Sequence, residues 1–311
     1  MAFRATLLAN SVAIHTGAKM MTFELEYPRF IHSEFMTHRE FGRCASSSRA
    51  IPVMKMIKRV WNDPAMPVHW GANQAGMQAN ESLSGWRKSV AQSIWRAASK
   101  VACVLAYGMV KVGLHKQVAN RILEPWQWIT VVATTSSTTN IYGLRRHKDA
   151  QPEFKMLADL MYQAERKTPI KVLGPGEWHL PYIRSEDWTL AERHCQVGRI
   201  TRDMPKHQEV IEVLKKVSAA RCARVSYLNH DQTVPSMDAD LKLFDRLVGS
   251  VPLHASPTEH QGTPDKRVEF FLQEVGTEHQ DIVELWDVPE LHGNLKGFKQ
   301  HRKMLANEYI S

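Results

Sequence analysis

The chain has 311 residues, of which 43% are hydrophobic and 23% are charged, so it is long enough and apolar enough for a globular protein with a sizeable core. Its longest apolar run, residues 101–110, is too short to span a bilayer, and its 4 scattered cysteines form no CxxC pair, which argues against a membrane protein, a zinc ribbon and a disulfide framework. The formal net charge of +8 fits either a solvated basic surface or a phosphate-rich ligand.

The N-terminal residues 1–15 carry one arginine and a short apolar patch, which is not the layout of a signal peptide. We therefore expect a cytoplasmic protein. Residues 21–28 alternate between apolar and polar side chains, which predicts a half-buried strand ending at Pro28. Residues 29–39 fit a short helix, and residues 52–76, rich in proline, glycine and asparagine, fit a loop.

A long helix is predicted next, because apolar residues recur every three or four positions from Trp86 to Met109. We interpret the helical block at about 77–124 as an insertion, and its apolar stripe as core or subunit interface. β-Branched residues predict a strand within residues 128–139.

Two more helices are predicted, over residues 149–165 and 237–250. Residues 208–227 begin with a helical pattern and end with a strand-like one, and the tail from residue 268 shows no clear pattern. No repeat or linker divides the chain, so a single α+β domain over residues 1–311 is expected.

Residues 35–52, FMTHREFGRCASSSRAIP, gather a histidine, three arginines, a cysteine and three consecutive serines. Guanidinium groups bind phosphate oxygens in pairs, and serine hydroxyls with loop amides complete such a cradle. The pattern alone fits an anion-binding site and a solvated basic turn equally well.

Four ordered pieces of the sequence, the last of which comprises two segments, resemble the flavin-dependent thymidylate synthases (ThyX). The family signature is Arg-His-Arg, seven residues and Ser. It is matched by His38, Arg39 and Ser47, with Arg49 two positions further on. Thr37 stands in place of the first arginine, which is a departure from the family.

The other pieces follow in the chain. NRILEP contains Arg121, and NIYGLRR contains Asn140 and Arg145. SAARCARVSY contains Ser226, and HASPTEH ends at His260. In shorter members of the family these last two segments precede the Arg-His-Arg motif, so the chain resembles a longer, rearranged form.

The resemblance implies a twisted, mostly antiparallel sheet flanked by helices, assembled as a homotetramer with active sites shared between subunits. It implies FAD as cofactor, with NADPH and methylenetetrahydrofolate as co-substrates. The implied reaction methylates a deoxynucleoside monophosphate, dUMP, at C5 to give dTMP. No metal site, no membrane and no direct nucleic-acid partner are expected.

The resemblance also implies a role for each matched residue. Arg145 and Ser47 would be catalytic, and Arg145 would stabilise negative charge on a ring oxygen. The substrate would be bound by Arg39, Ser47, Arg49, Arg121 and Arg145. The flavin would be bound by His38, Arg39, Asn140, Ser226 and His260.

Two segments depart from the family pattern and supply candidate specificity positions. They are Gly42 and Cys44 in the signature, and Ser137, Thr138 and Thr139 before the flavin asparagine. Three outcomes stay open: methylation of dUMP, action on dCMP, and a 5-hydroxymethyl product from either nucleotide.

Cys44 is interpreted as a structural thiol more readily than as a nucleophile for C6 of the pyrimidine. A nucleophilic thiolate would need a pKa lowered by Arg39, Arg43 and Arg49. Two further classes stay open for the whole chain. One is a colourless nucleic-acid-binding protein whose affinity falls with salt, and the other is a flavin-binding relative without activity.

Overall fold

A five-stranded sheet lies at the centre of the protein. The computed structural model describes residues 2–76, 78–79, 81–197, 206–227, 235–273 and 280–308, without the side chains of residues 226–227, 270–273 and 280–283. The strands are β1 (Arg4–Ala13), β2 (Lys19–Pro28), β3 (Gly42–Ala45), β4 (Trp128–Thr135) and β5 (Lys171–Leu173). Their order is β3-β4-β2-β1-β5, and all neighbouring pairs are antiparallel except β1 with β5.

Helices cover both faces of this sheet. The described α-helices are α1 (His32–Met36), α2 (Val53–Asn62), α3 (Gly85–Lys111), α4 (Lys116–Ala119), α5 (Thr139–Arg145), α6 (Pro152–Lys167), α7 (Ser185–Gln196), α8 (His207–Tyr227) and α9 (Met237–Val248). Two separate antiparallel strand pairs are β6 (Gly262–Pro264) with β9 (Phe298–Gln300), and β7 (Arg267–Gln273) with β8 (Gln280–Trp286). The predicted fold class is confirmed: α+β, with a mostly antiparallel sheet flanked by helices.

The alternation predicted for β2 separates the two faces of the sheet. Phe23, Leu25 and Tyr27 are fully buried in the main core, where they meet the apolar side of α6. We call this the α6 face. The opposite face carries Thr22 and, on β3, Cys44, which packs with residues of α8. We call it the α8 face.

Two predictions about local structure are wrong. Residues 53–62 form helix α2 instead of loop, because Met56 and Val60 pack against the small residues Ala102 and Ala106 of α3. Residues 208–227 stay helical to Tyr227 instead of ending in a strand, because the apolar side of α8 packs on the sheet and on α9. Strand β1, which the sequence patterns did not predict, pairs with β2 along most of its length.

The apolar stripe of α3 is not part of the core of this chain. Trp86, Ile94, Val101 and Leu105 are 72%, 64%, 58% and 52% exposed. The buried side of the helix carries small residues instead. Of the two predicted roles for the stripe, core is therefore wrong and subunit interface remains a prediction. Among the described residues, no helix is both long enough and apolar enough to cross a membrane.

Candidate active site

A hydrogen bond between His38 and Arg145 joins two of the sequence motifs. Arg145 donates from Nε to His38 Nε2 across 2.9 Å, although the two residues lie 107 positions apart. His38 follows α1 in the turn before β3, and Arg145 is the last residue of α5. The ring of Phe154, on α6, supports both side chains: its centroid lies 5.4 Å from that of the imidazole and 4.5 Å from the guanidinium carbon.

The environment of His38 is positively charged. Burial, followed by the charges of Arg145 and Arg43, lowers the pKa of His38 from 6.5 to about 4. The ring is therefore neutral near pH 7, and since Nε2 accepts from Arg145, its proton lies on Nδ1. Arg43 Nη1 donates to the backbone carbonyls of Phe35, Met36 and His38, which fixes the turn. Two guanidinium groups beside a neutral imidazole suit an anionic ligand.

The serine-rich turn after β3, residues 46–50, packs against the segment that carries Arg121. Asn120 Nδ2 donates to the carbonyl of Ser48 across 2.7 Å. Ser48 Oγ donates to Glu124 Oε1 across 3.1 Å, and Arg121 Nη1 donates to the same oxygen across 2.9 Å. The fold therefore brings the predicted phosphate-binding turn beside the predicted phosphate-binding arginine.

The remaining predicted ligand-binding residues differ in exposure. Ser47 is half-buried, and its hydroxyl accepts from the backbone N–H of Arg49 across 3.2 Å. The side chains of Arg39, Arg49, Arg121 and Asn140 are exposed. The side chain of Ser226 lies outside the described residues.

Ser137, Thr138 and Thr139 form the entry to α5. Ser137 Oγ accepts from the N–H of Thr139 across 3.4 Å, and Thr138 Oγ1 donates to Glu165 Oε2 of α6 across 3.1 Å. The Thr138 hydroxyl therefore ties the start of α5 to α6 and helps to position Arg145 at the other end of that short helix.

Gly42 leaves space for Glu259. A Cβ atom at position 42 would lie 3.2 Å from Glu259 Oε2 and 3.3 Å from Glu259 Cβ. Glu259 in turn forms an ion pair with Arg302. The glycine that departs from the family signature thus accommodates a carboxylate on the α8 face.

Cys44 lies in an apolar environment. Burial raises the pKa of its thiol to about 11, and the side chain packs with Val132 and Cys222. The lowered pKa that a nucleophilic thiolate would need is absent here. Side chains alternate along β3, so Arg43 lies on the α6 face and Cys44 on the α8 face. At neutral pH the thiol is protonated, which supports the structural interpretation.

His260 is fully buried at the end of the 3-10 helix Ser256–His260. Its Nδ1 lies 2.8 Å from Thr134 Oγ1. Its Nε2 has no hydrogen-bond partner among the described residues. Burial lowers its pKa to about 3, so the ring is neutral.

A cavity of about 1150 Å³ lies between the α8 face and helices α7 and α8, and Ser46 of the serine-rich turn lines one side of it. No predicted site residue with a described side chain lines it. Two half-buried arginines that line it already have carboxylate partners: Arg221 pairs with Asp187 at 2.7 Å and Asp240 at 2.9 Å, and Arg224 pairs with Asp240 at 2.6 Å. The cavity therefore offers fewer unpaired charges than its composition suggests.

The sequence motifs assigned no ligand-binding role to three contributors to the site, which are Arg43, Glu124 and Phe154. Arg43 could have been found, because it lies inside the signature segment. Glu124 could have been found as the acid three positions after Arg121. Phe154 gave no usable signal, because an aromatic residue on an amphipathic helix is typical of a core position.

No protein-family model matches the chain, and no curated protein matches its sequence. Among solved structures, the chain is similar to the UMP/dUMP methylase PolB from Streptomyces cacaoi bound with 5-Br UMP, at 17% identity and a TM-score of 0.42, over 53% of this chain and 89% of that one. It is also similar to thymidylate synthase X (ThyX) from Helicobacter pylori with FAD and dUMP, at 14% identity and a TM-score of 0.34, over 47% of this chain and 67% of that one. The second protein belongs to the family that the sequence motifs resemble.

Proposed function

We propose that this protein is a flavin-dependent methylase of the thymidylate synthase type. It would convert dUMP to dTMP, with methylenetetrahydrofolate as carbon donor and NADPH as electron donor. The hydrogen bond between Arg145 and His38 carries the proposal. The family resemblance assigns both residues to one site. Because they are far apart in the sequence, their contact is not a consequence of chain proximity. The packing of residues 46–50 on the Arg121 segment supports the proposal in the same way.

Arg145 is suited to act on the pyrimidine ring. C5 becomes nucleophilic when electron density enters the ring and negative charge develops on a ring oxygen. Among the described residues no carboxylate pairs with Arg145, so its positive charge is available to such an oxygen. The bond to His38 and the ring of Phe154 hold the guanidinium in place before the substrate arrives. Fixed charge of this kind stabilises a transition state without a reorganisation cost.

We assign the phosphate of the nucleotide to the arginines of the motifs. Arg39, Arg49 and Arg121 are exposed and present guanidinium groups that bind phosphate oxygens in pairs. Ser47 would lie beside the nucleotide, on the turn that packs against the Arg121 segment. A lysine at any of these positions would supply charge without the paired hydrogen bonds.

The residues present fit a flavin dinucleotide. Burial first, and then the positive charges of Arg145 and Arg43, lower the pKa of His38, and those charges suit a pyrophosphate. The buried Nε2 of His260, which has no partner among the described residues, could bond to a polar ligand atom. When bound, the flavin would supply hydride chemistry that no amino-acid side chain provides. We assign the cofactor to His38, Arg39, Asn140, Ser226 and His260.

We further propose a homotetramer with active sites completed by neighbouring subunits. The exposed apolar stripe of α3 supports self-association, because such a surface is unfavourable in water.

The test is a product analysis with purified protein. We expect a yellow protein that converts dUMP, methylenetetrahydrofolate and NADPH to a product with the mass of dTMP. A product one oxygen atom heavier, or turnover of dCMP alone, would instead establish one of the alternatives left open by the sequence. A colourless protein that binds DNA with strong salt dependence would overturn the proposal.

A further inference from the structure

A continuous chain of buried hydrogen bonds links His260 to Ser11 of β1 across the α8 face of the sheet. Ser11 Oγ lies 2.8 Å from His179 Nδ1, and His179 Nε2 lies 2.8 Å from Thr22 Oγ1. Thr22 Oγ1 lies 2.7 Å from Thr134 Oγ1, which lies 2.8 Å from His260 Nδ1. All five residues are at most 2% exposed, so water does not compete for these bonds.

The sheet itself aligns the middle of this chain. Thr22 on β2 is directly opposite Thr134 on β4 in the antiparallel register, so their side chains point to the same face. Ser11 reaches the same face from β1, whereas His179 and His260 approach it from loop and 3-10 segments.

Both histidines are neutral, so each ring carries one proton. Burial lowers the pKa of His179 and of His260 to about 3. A positive charge on His260 would lower the pKa of His179 further. A neutral imidazole donates from one nitrogen and accepts at the other. Each ring therefore adopts one of two tautomers, with its proton on Nδ1 or on Nε2.

The hydroxyl groups of Thr22 and Thr134 couple the tautomer of His179 to the tautomer of His260. Thr22 has one hydroxyl proton and, among the described residues, only the partners on either side of it. This buried proton has an acceptor only when Thr22 donates to one partner and accepts from the other, and the same holds for Thr134. If His179 donates from Nε2, both hydroxyls donate towards His260, whose proton then lies on Nε2. If His179 donates from Nδ1 to Ser11, both hydroxyls donate the opposite way, and the proton of His260 lies on Nδ1.

Only these two arrangements form every bond and also give each hydroxyl proton an acceptor, and both give the two rings the same tautomer. A mixed arrangement would leave either two acceptors facing each other or, where one hydroxyl accepts from both neighbours, a buried hydroxyl proton without an acceptor; both are unfavourable in the interior. The arrangement determines whether Nε2 of His260, which has no partner in the described part of the chain, is a hydrogen-bond donor or an acceptor.

We propose that Ser11, His179, Thr22 and Thr134 form a relay that sets the tautomer of His260. His179 is then a positioning residue for His260. The consequence for flavin binding rests on the proposed function, because His260 is a cofactor residue only there.

The relay is tested by ¹⁵N NMR of histidine-labelled protein without flavin, with peaks assigned by histidine replacement. In the unaltered protein, His179 and His260 are expected to show the same tautomer; opposite tautomers would overturn the proposal without any variant. Thr22→Val removes the central hydroxyl at nearly constant shape and is expected to change the His260 tautomer population. Thr22→Ser, which keeps the hydroxyl, is expected to restore it.

Thr263→Val is the matched control, because Thr263 is also buried and its hydroxyl has no partner among the described residues. Unchanged His260 shifts in Thr22→Val, or equal changes in the control, would contradict the relay. If the protein binds flavin, Thr22→Val is expected to weaken binding about tenfold, with rescue by Thr22→Ser. If the His260 tautomer changes in Thr22→Val but the flavin affinity does not, the relay has no positioning role in flavin binding. Absence of flavin binding would reject the proposed function and leave the NMR test of the relay intact.

Discussion

Arg145 Nε donates to His38 Nε2 across 2.9 Å, and the direction of this bond is determined by the chemistry of its partners. An arginine cannot accept a hydrogen bond, so the imidazole accepts and remains unprotonated at Nε2. A protonated His38 would have to break this bond and would face two guanidinium charges. The relationship therefore favours both the neutral state of His38 and the orientation of Arg145.

Arg145→Lys is expected to lower kcat/KM for the nucleotide by about 10²-fold, because lysine keeps the charge but lacks the fixed planar donor set. Arg146→Lys is the control: the neighbouring arginine pairs with Asp159 at 2.8 Å, away from His38. Steady-state kinetics would check both variants. Similar losses for the two substitutions would contradict a specific role for Arg145.

Stability is expected to fall as the pH is lowered below about 6.5. The pKa values of His32 and His38 are lowered to about 4, and those of His179, His260 and His301 to about 3, in each case mainly by burial. Between these values and 6.5, the unfolded chain binds protons that the folded protein does not. The free energy of unfolding therefore decreases on acidification, which urea titrations from about pH 7.5 to pH 4.5 would measure.

The substitution His301→Phe tests how much His301 alone contributes to the pH dependence of stability. The His301 ring stacks on Phe244, with 3° between their planes, so an aromatic replacement preserves the packing. The variant is expected to reduce the pH dependence by about one proton. An unchanged slope would mean that His301 does not stay neutral in the folded protein.

Gly42→Ala is expected to reduce stability by about 1–3 kcal/mol, because its Cβ would crowd Glu259 beside the ion pair with Arg302. Gly108→Ala provides the opposite expectation. Gly108 lies on α3, and a methyl group added there would meet nothing within 4 Å, so alanine should stabilise the helix by about 0.5–1 kcal/mol. Denaturant unfolding of both variants checks the contrast, and a neutral Gly42→Ala would show that Glu259 moves freely.

Cys44→Ala is expected to retain turnover within about tenfold, since a thiol with a pKa of about 11 supplies little thiolate at neutral pH. Alkylation by iodoacetamide at pH 8 should be slower at Cys44 than at the half-buried Cys195. Loss of activity in a correctly folded Cys44→Ala protein would instead support the hypothesis that Cys44 attacks C6 of the pyrimidine.

The double substitution Ile94→Lys with Leu105→Lys is expected to shift the protein towards smaller species in sedimentation. Both side chains lie in the exposed stripe of α3, at 64% and 52% exposure, and lysines there would oppose burial in an interface. Ile14→Lys is the control, since Ile14 is 59% exposed in the turn after β1. An unchanged distribution of species would place any interface elsewhere.

Local periodicity was enough to predict several elements. The alternation of β2 and the apolar side of α6 appear in the structure as predicted, because backbone geometry alone determines which side chains share a face. Helix α2 was missed because prolines and glycines around it dominated the pattern, while the packing of Met56 and Val60 on α3 decided the outcome. The exposure of the α3 stripe could not be predicted either, since a helical period does not say which face the rest of the chain covers.

By itself, the sequence determined the types and order of the motifs: a basic signature at His38–Arg39, a serine turn, and later segments bearing Arg121 and Arg145. Tertiary structure alone decided which of them meet. The contact between Arg145 and His38 spans 107 positions, so it depends on how α5 and α6 pack against the turn before β3. Strand alternation also put Cys44 and Arg43 on opposite faces, although they are neighbours in sequence. Although Arg43 and Cys44 are adjacent in the sequence, their side chains therefore lie in different electrostatic environments.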